Sequence, residues 1–212
     1  MENIPEELKH GTTTIGIVCK DGVVLATERR ATMGTFIAHK ETKKLFKIDE
    51  HLGLTIAGLV GDAQLLARYL KAEVELYKLK RNTPITVEGA ATLMANILNG
   101  NRYFPYYVGL LIGGVDAKGP HVFSLDAVGG SIEDKYVSVG SGSPYAYGVL
   151  EEHYRDEIST AEGVDIAIRG LNAAMKRDSA SGDGMAVAVI SDREFRELAD
   201  DEIKKRISKL KL

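Results

Sequence analysis

Five histidines (His10, His39, His51, His121 and His153) are scattered through the chain, with no HExxH spacing and no cysteine at metal-ligand distance from any of them. Zinc-hydrolase chemistry therefore has no ligand set here, and no metal or cofactor is expected. There is no GxSxG elbow, no Walker A loop and no GxGxxG fingerprint. The loop Gly140-Ser141-Gly142-Ser143-Pro144 has glycines suited to a phosphate cradle but lacks the lysine and the full spacing. What stands apart is Gly11 followed by Thr12-Thr13-Thr14, adjacent hydroxyls at the head of an apolar alternating run. Threonine favours strands, so the run has an ordinary reading as a strand start. A threonine hydroxyl becomes a nucleophile only where a base takes its proton.

Other stretches accompany that start. They are Ala26-Thr27-Glu28-Arg29-Arg30-Ala31-Thr32, Lys43-Lys44-Leu45-Phe46, Ala57-Gly58-Leu59-Val60-Gly61-Asp62, Gly140-Ser141-Gly142-Ser143 and Arg177-Asp178-Ser179-Ala180-Ser181-Gly182. In this order and spacing the set resembles the proteasome β-subunit family of N-terminal nucleophile hydrolases, in its archaeal form. The resemblance runs from Gly11 to the end of the chain. Any one stretch is weak; the set is specific.

The resemblance implies an α+β fold, a four-layer αββα sandwich with two antiparallel sheets and an active site at their open end. It implies that residues 1–11 are a propeptide removed autocatalytically at Gly11-Thr12, leaving 12–212 as a single catalytic domain. The implied activity is that of a threonine endopeptidase acting on unfolded polypeptide. Once Thr12 is the first residue, its α-amine stands beside its own hydroxyl. An α-amine has a reference pKa of about 7.7–8.0, so one residue supplies nucleophile and base, directly or through a water. Before cleavage that nitrogen is an amide and the peptidase is off. Glycine at position 11 suits the tight turn needed for attack on its carbonyl.

By the same resemblance Lys44 is the cation that favours ionisation of the Thr12 hydroxyl, and Glu28 is the acid that pairs with it. Many relatives carry aspartate there, a mild departure that keeps the charge. Gly58 would donate its N–H to the oxyanion, and Ser141, Asp178 and Ser181 would orient the terminal amine. Ala31, Thr42, Ile56 and Val60 would line or approach the pocket for the residue before the scissile bond, favouring large apolar residues, and Thr32 would pair with the extended substrate. The implied partners are other β subunits in two stacked seven-membered rings, flanking α-subunit rings, and a regulatory ATPase acting through them. Segments 62–81 and 143–177 are candidates for ring-to-ring packing.

Three rivals make different demands. A non-catalytic subunit of the same fold would lack the threonine, the lysine or the Gly-Thr junction, and all three are present. The related bacterial two-ring threonine peptidase generally lacks the Arg-Asp-Ser-Ala-Ser-Gly segment found at 177–182. An amidohydrolase of small amides is separated by a peptide-versus-small-amide screen.

These residues need elements to hold them. Ile15, Ile17 and Cys19 alternate, Asp21-Gly22 supplies a hairpin turn and Val23 to Ala26 return, predicting two strands within 13–27. A polar segment from Glu28 to Lys47 precedes a β-like run from His51 to Val60. From Asp62 to Arg81 the apolar residues Leu65, Leu66, Tyr69, Leu70, Leu76 and Tyr77 recur at helical spacing, with Asp62 as an expected N-cap. Beyond Pro84 a second helix is predicted from about Thr86 to Asn99; two helices in succession speak against a regular βαβ fold. A strand-rich block spans Tyr106 to Gly140, with turns expected at Gly113-Gly114, Lys118-Gly119-Pro120 and Gly129-Gly130. Helices are predicted near 143–154 and 159–177, and a strand at 185–190. Runs of this kind point to antiparallel sheets covered by helix pairs.

Bulk properties fit one large domain of 212 residues, 44% hydrophobic and 27% charged, with net charge −3. That balance gives no general field for polyanions, so neither nucleic acid nor membrane is an expected partner. Lys204, Lys205, Arg206, Lys209 and Lys211 alternate with Ile203, Ile207 and Leu210, reading as the wet face of a terminal helix. Tyr103, Phe104, Tyr106 and Tyr107 read as core or interface. The one cysteine, Cys19, excludes an intrachain disulfide and reads as a buried hydrophobe. With no apolar stretch long enough to span a bilayer and no secretory pattern in Met1 to Gly11, the chain is expected in the cytoplasm.

Overall fold

A computed structural model describes residues 11–212. Of the expected propeptide, residues 1–10 lie outside the described residues. The first hairpin joins β1 (Thr14–Cys19) to β2 (Gly22–Glu28), with Cys19 paired to Gly22 across the Lys20–Asp21 turn. Next come β3 (Ala31–Met33) and β4 (Phe36–His39), a small hairpin inside the segment that reads as polar. Then follow β5 (Leu45–Asp49), β6 (Leu52–Gly58), α1 (Val60–Arg81) and α2 (Val87–Gly100). The strand block resolves into β7 (Val108–Asp116), β8 (Gly119–Leu125), β9 (Ser131–Glu133) and β10 (Tyr136–Val139). The chain ends with α3 (Ser143–His153), α4 (Thr160–Arg177), β11 (Met185–Ile190), β12 (Phe195–Glu197) and α5 (Asp200–Leu210).

Two five-stranded antiparallel sheets result, ordered β10-β1-β2-β11-β12 and β5-β6-β7-β8-β9. Strand alternation sorts side chains into three apolar interfaces. Leu52, Leu54 and Ile56 of β6 pack on Leu66, Leu70 and Val74 of α1 and on Met94 of α2. Ile15, Ile17 and Cys19 pack on Val164, Ile168 and Leu171 of α4 and on Leu150 of α3. Between the sheets lie Val23, Leu25, Leu111, Val122 and Ala188. Helices, sheet, sheet, helices: this is the expected four-layer αββα sandwich.

Local sequence explains most boundaries. Thr86 caps α2 by accepting from the Gly89 N–H, and Ser159 forms a full capping box with Glu162 at the head of α4. The turn carboxylate of Asp21 also holds Thr160, binding its N–H at 2.7 Å and its hydroxyl at 2.9 Å. The basic cluster near the end lies in α5 as expected, apart from Lys211 just past its last residue, with Ile203 turned into the core.

Three expectations need correction. Gly113-Gly114 is not a turn but the middle of β7, opposite Gly53 and Leu52. A Cβ on Gly113 would stand 2.9 Å from a methyl of Val23, so the missing side chain lets the sheets approach closely. Asp62 does not cap α1; Leu59 holds that position with no side-chain bond, and Asp62 Oδ2 instead accepts the Tyr107 N–H at 3.0 Å. The apolar stripe on α1 is two stripes. Leu66 and Leu70 are buried with Ala63 and Val74, whereas Tyr69, Leu76 and Tyr77 are exposed, because the sheet beneath needs only one face. Of the aromatic cluster expected as core or interface, Tyr106 packs against the core while Tyr103 and Phe104 are exposed.

Candidate active site

Thr12 sits two residues before β1 begins, so the adjacent strands β10 and β2 fix its position at the end of the first sheet. Its side chain is buried. The Thr12 hydroxyl donates to the Gly11 carbonyl oxygen at 2.6 Å and accepts from Lys44 Nζ at 2.9 Å. Lys44 precedes β5 and is 7% exposed. Its other two ammonium protons go to Glu28 Oε1 and to the Arg30 carbonyl oxygen. All three donors of the lysine are thus assigned.

Glu28, the last residue of β2, is fully buried, and each carboxylate oxygen is occupied. Oε1 faces Lys44 and the Thr13 N–H at 3.4 Å; Oε2 accepts from the N–H groups of Arg30 at 2.6 Å and Gly182 at 3.2 Å. Removal from water costs several kcal/mol per ion. Attraction at this range, with an effective dielectric near 20, returns about 4 kcal/mol or somewhat more. The two effects nearly balance. Burial accordingly pushes the Lys44 ammonium below its ordinary range against the pull of Glu28, and pushes the Glu28 carboxyl up against the pull of Lys44 and the amides. Each shift runs toward the neutral form of its group.

A second set of polar groups surrounds the Thr12 nitrogen. Its N–H donates to Ser141 Oγ at 3.2 Å, and Ser141 Oγ donates to Asp178 Oδ2 at 2.6 Å. Ser181 Oγ donates to the same carboxylate oxygen at 2.7 Å. The Ser181 proton being spent there, the 2.7 Å contact between Thr13 Oγ1 and Ser181 Oγ has threonine as donor. Thr13 is therefore tied away from Lys44. Only Thr12 presents its hydroxyl to the lysine, which distinguishes one threonine of the run from its neighbours.

Gly58 ends β6 with φ +123, and a Cβ there would lie 2.0 Å from the Tyr107 carbonyl oxygen, so only glycine fits. Thr32 is buried in β3 and its hydroxyl accepts the Gly11 N–H at 3.4 Å. Ala31 is buried beside it, and Val60 is half-buried at the first turn of α1. Thr42 lines a cleft with Arg29, Glu41, Lys43 and Glu197, its N–H bound to the Arg29 carbonyl. Ile56 points into the helix-side core, 1% exposed. The structure thus joins Thr12, Glu28, Lys44, Ser141, Asp178, Ser181, Gly11 and Thr32 in one hydrogen-bonded cluster; of the other residues, Thr42 shares its cleft with Lys44, and the Ile56 N–H donates to the Lys44 carbonyl at 3.0 Å. The glycine loop that resembles a phosphate cradle packs on the threonines, with the Gly142 N–H on the Thr12 carbonyl at 3.4 Å. Among the described residues no group of three or more His, Cys, Asp or Glu side chains is placed to hold a metal ion.

Sequence reading passed over Thr13, Arg30, Gly182 and Asp183. Arg30 and Gly182 fall inside the stretches that carry the resemblance, so position within those stretches was the available signal.

The proteasome subunit family profile matches residues 8–190. The proteasome subunit beta of Methanothermobacter thermautotrophicus is 57% identical over 201 residues, covering 94% of this chain and 96% of its own. That of Thermoplasma acidophilum is 56% identical, with 98% of both chains covered. That of Ferroglobus placidus is 54% identical, covering 98% of this chain and all of its own. The chain belongs to the proteasome subunit family.

Proposed function

We propose that this chain is a β-type catalytic subunit of a proteasome core particle, a threonine endopeptidase made active by cutting its own Gly11–Thr12 bond. One observation carries the reading: the Thr12 hydroxyl lies between the Lys44 ammonium and the Gly11 carbonyl, 2.9 and 2.6 Å away.

In the uncut chain the Thr12 nitrogen is an amide and cannot act as base. Lys44 is the basic group in contact with the hydroxyl: once it has passed a proton to Glu28 along their hydrogen bond, its freed lone pair takes the Thr12 proton. The Thr12 oxygen adds to the Gly11 carbonyl carbon. The C–N bond then breaks, the nitrogen takes up a proton to become an amine, and Gly11 is left as an ester on Thr12. Water hydrolyses the ester, freeing residues 1–11. Gly11 is already held by Thr32, which supports its occupying the place of a substrate residue before the cleaved bond.

After cleavage the amine at Thr12 stays beside Ser141, with Asp178 and Ser181 behind it, and serves as proton acceptor for later rounds. The Gly58 N–H is the proposed donor to the tetrahedral oxyanion. Ala31, Thr42, Ile56 and Val60 shape the preference for the residue before the cut, which is large and apolar. The chain assembles with other β subunits into two stacked seven-membered rings between α rings, receives unfolded polypeptide through a regulatory ATPase, and works in the cytoplasm. No described helix is long and apolar enough to cross a membrane. Thr12→Ala tests the reading: it should abolish both removal of residues 1–11 and peptide hydrolysis. Fluorogenic peptides ending in Tyr, Arg or Glu test the preference, which fails if cleavage after Arg or Glu is faster.

A further inference from the structure

Two separate groups of residues flank Thr12, one at the end of β2 (Glu28, with Lys44) and one in the loop after α4 (Asp178, Ser181). Glu28 reaches the second group through the Gly182 N–H at 3.2 Å, and the Arg30 side chain ties the two together over a longer stretch of the loop. Arg30 Nε donates to Asp183 Oδ2 at 2.6 Å and Nη1 donates to the Ser179 carbonyl at 2.8 Å, so the guanidinium grips the loop on both sides of Ser181. The backbone of the same residue touches the other group: its N–H lies 2.6 Å from Glu28 Oε2, and its carbonyl accepts from Lys44.

The loop is shaped around that guanidinium. A Cβ on Gly182 would stand 2.3 Å from Arg30 Nη2 and 2.4 Å from Cζ, so any side chain there would displace the guanidinium from its present seat. Asp183 has φ +61 and Gly184 φ +109, left-handed conformations that a non-glycine residue keeps only when its surroundings hold it. The Arg30 and Asp183 side chains are 20% and 18% exposed, sheltered enough for the fork geometry to hold.

We infer that Arg30 is a positioning residue for this active site: its guanidinium holds the Asp178–Ser181 loop in register with the Glu28–Lys44 pair, so that Thr12 meets both at once. This rests on the reading of Thr12 given above. Arg30 touches no reacting atom, and its influence passes through Lys44 and Ser181.

The test compares assembled particles carrying Arg30→Ala, Arg30→Lys, Asp183→Asn and the pair Arg30→Ala with Asp183→Asn, alongside Thr12→Ala. Arg30→Ala should lower kcat on a fluorogenic peptide by about tenfold to hundredfold, the scale expected of sub-ångström misplacement. KM should stay within about threefold, and removal of residues 1–11, which involves no bound substrate, should slow by a similar factor to kcat. Arg30→Lys should recover only part, because an ammonium cannot span Asp183 and the Ser179 carbonyl together. Asp183→Asn should lower kcat in the same direction, and the double variant should be no worse than Arg30→Ala alone. Should Arg30→Ala fail to fold, Asp183→Asn carries the test by itself, since it alters one atom of a partly exposed side chain. A kcat within about twofold of the parent, a loss confined to KM, or multiplicative effects in the double variant would overturn the inference. Retained activity in Thr12→Ala would instead sink the reading of the site, whatever the Arg30 variants do.

Discussion

The Lys44 ammonium stands 2.9 Å from the Thr12 hydroxyl and is held there by Glu28 and by the carbonyl of Arg30. The lysine therefore has no freedom to serve elsewhere, and among the described residues the hydroxyl has no other cation in hydrogen-bond contact. Lys44→Ala should reduce peptide hydrolysis by about 10²–10⁴-fold, the range associated with a positioned proton-transfer group. It also strands Glu28 in the interior, which costs about 3–5 kcal/mol where nothing else satisfies the charge and less here, because three backbone N–H groups remain. Adding Glu28→Gln to Lys44→Ala should raise the urea midpoint of the single variant while restoring no activity. Substantial turnover by Lys44→Ala would remove the lysine from the mechanism.

The acid side of the pH profile follows from the same pair. Burial raises the Glu28 carboxyl above 4.5 and lowers the Lys44 ammonium below 10.5. For the raised carboxyl, the contribution to stability is complete below pH 4.5 and lost as pH climbs through the folded value. For the lowered ammonium, the unfolded chain holds more protons between the folded value and 10.5, so stability rises with pH there. Acid therefore does not unfold the protein through Glu28. It fills the acceptor that Lys44 needs, and scission of Gly11–Thr12 should fall off at a pH above 4.5 with the circular dichroism unchanged. Loss of ellipticity in step with activity would contradict this.

Gly58→Ala combines strain with chemistry. Its φ of +123 and the Tyr107 carbonyl 2.0 Å from any added Cβ mean that β6 and β7 must part at their ends. The expected cost is upward of about 1 kcal/mol. Activity should fall further than stability, because the proposed oxyanion donor moves; thermal melting and peptide turnover on the same sample check both.

Cys19 should be inert in the native protein. It is 2% exposed, and burial together with Asp21 and Glu162 pushes its thiol up to about 12. Near pH 8 only about one thiol in ten thousand is ionised. Iodoacetamide should leave the native mass unchanged and add one adduct after unfolding in guanidinium; labelling of native protein would show that the β1–α4 interface opens.

Much of this architecture was legible in the residues. The first hairpin and the caps at Thr86 and Ser159 are written locally, in alternation and side-chain chemistry. What escaped depends on partners distant in the chain. Gly113-Gly114 looks like a turn until Val23 of the facing sheet is placed over it. Asp62 looks like a cap until Tyr107 claims its carboxylate. The β3–β4 hairpin hides in a polar segment because its exposed members carry no burial pattern. At the site, Thr12, Lys44 and Glu28 stood out through family resemblance. Arg30 did not, since its role appears only when residues 179–183 fold back onto it.

Intact-mass measurement of assembled, active particles, with N-terminal sequencing, puts the central claim to its most direct test. The predicted result is loss of residues 1–11 and a terminus reading Thr-Thr-Thr-Ile, with Thr12→Ala particles keeping the full chain and hydrolysing nothing. Fully active particles still beginning at Met1 would contradict it.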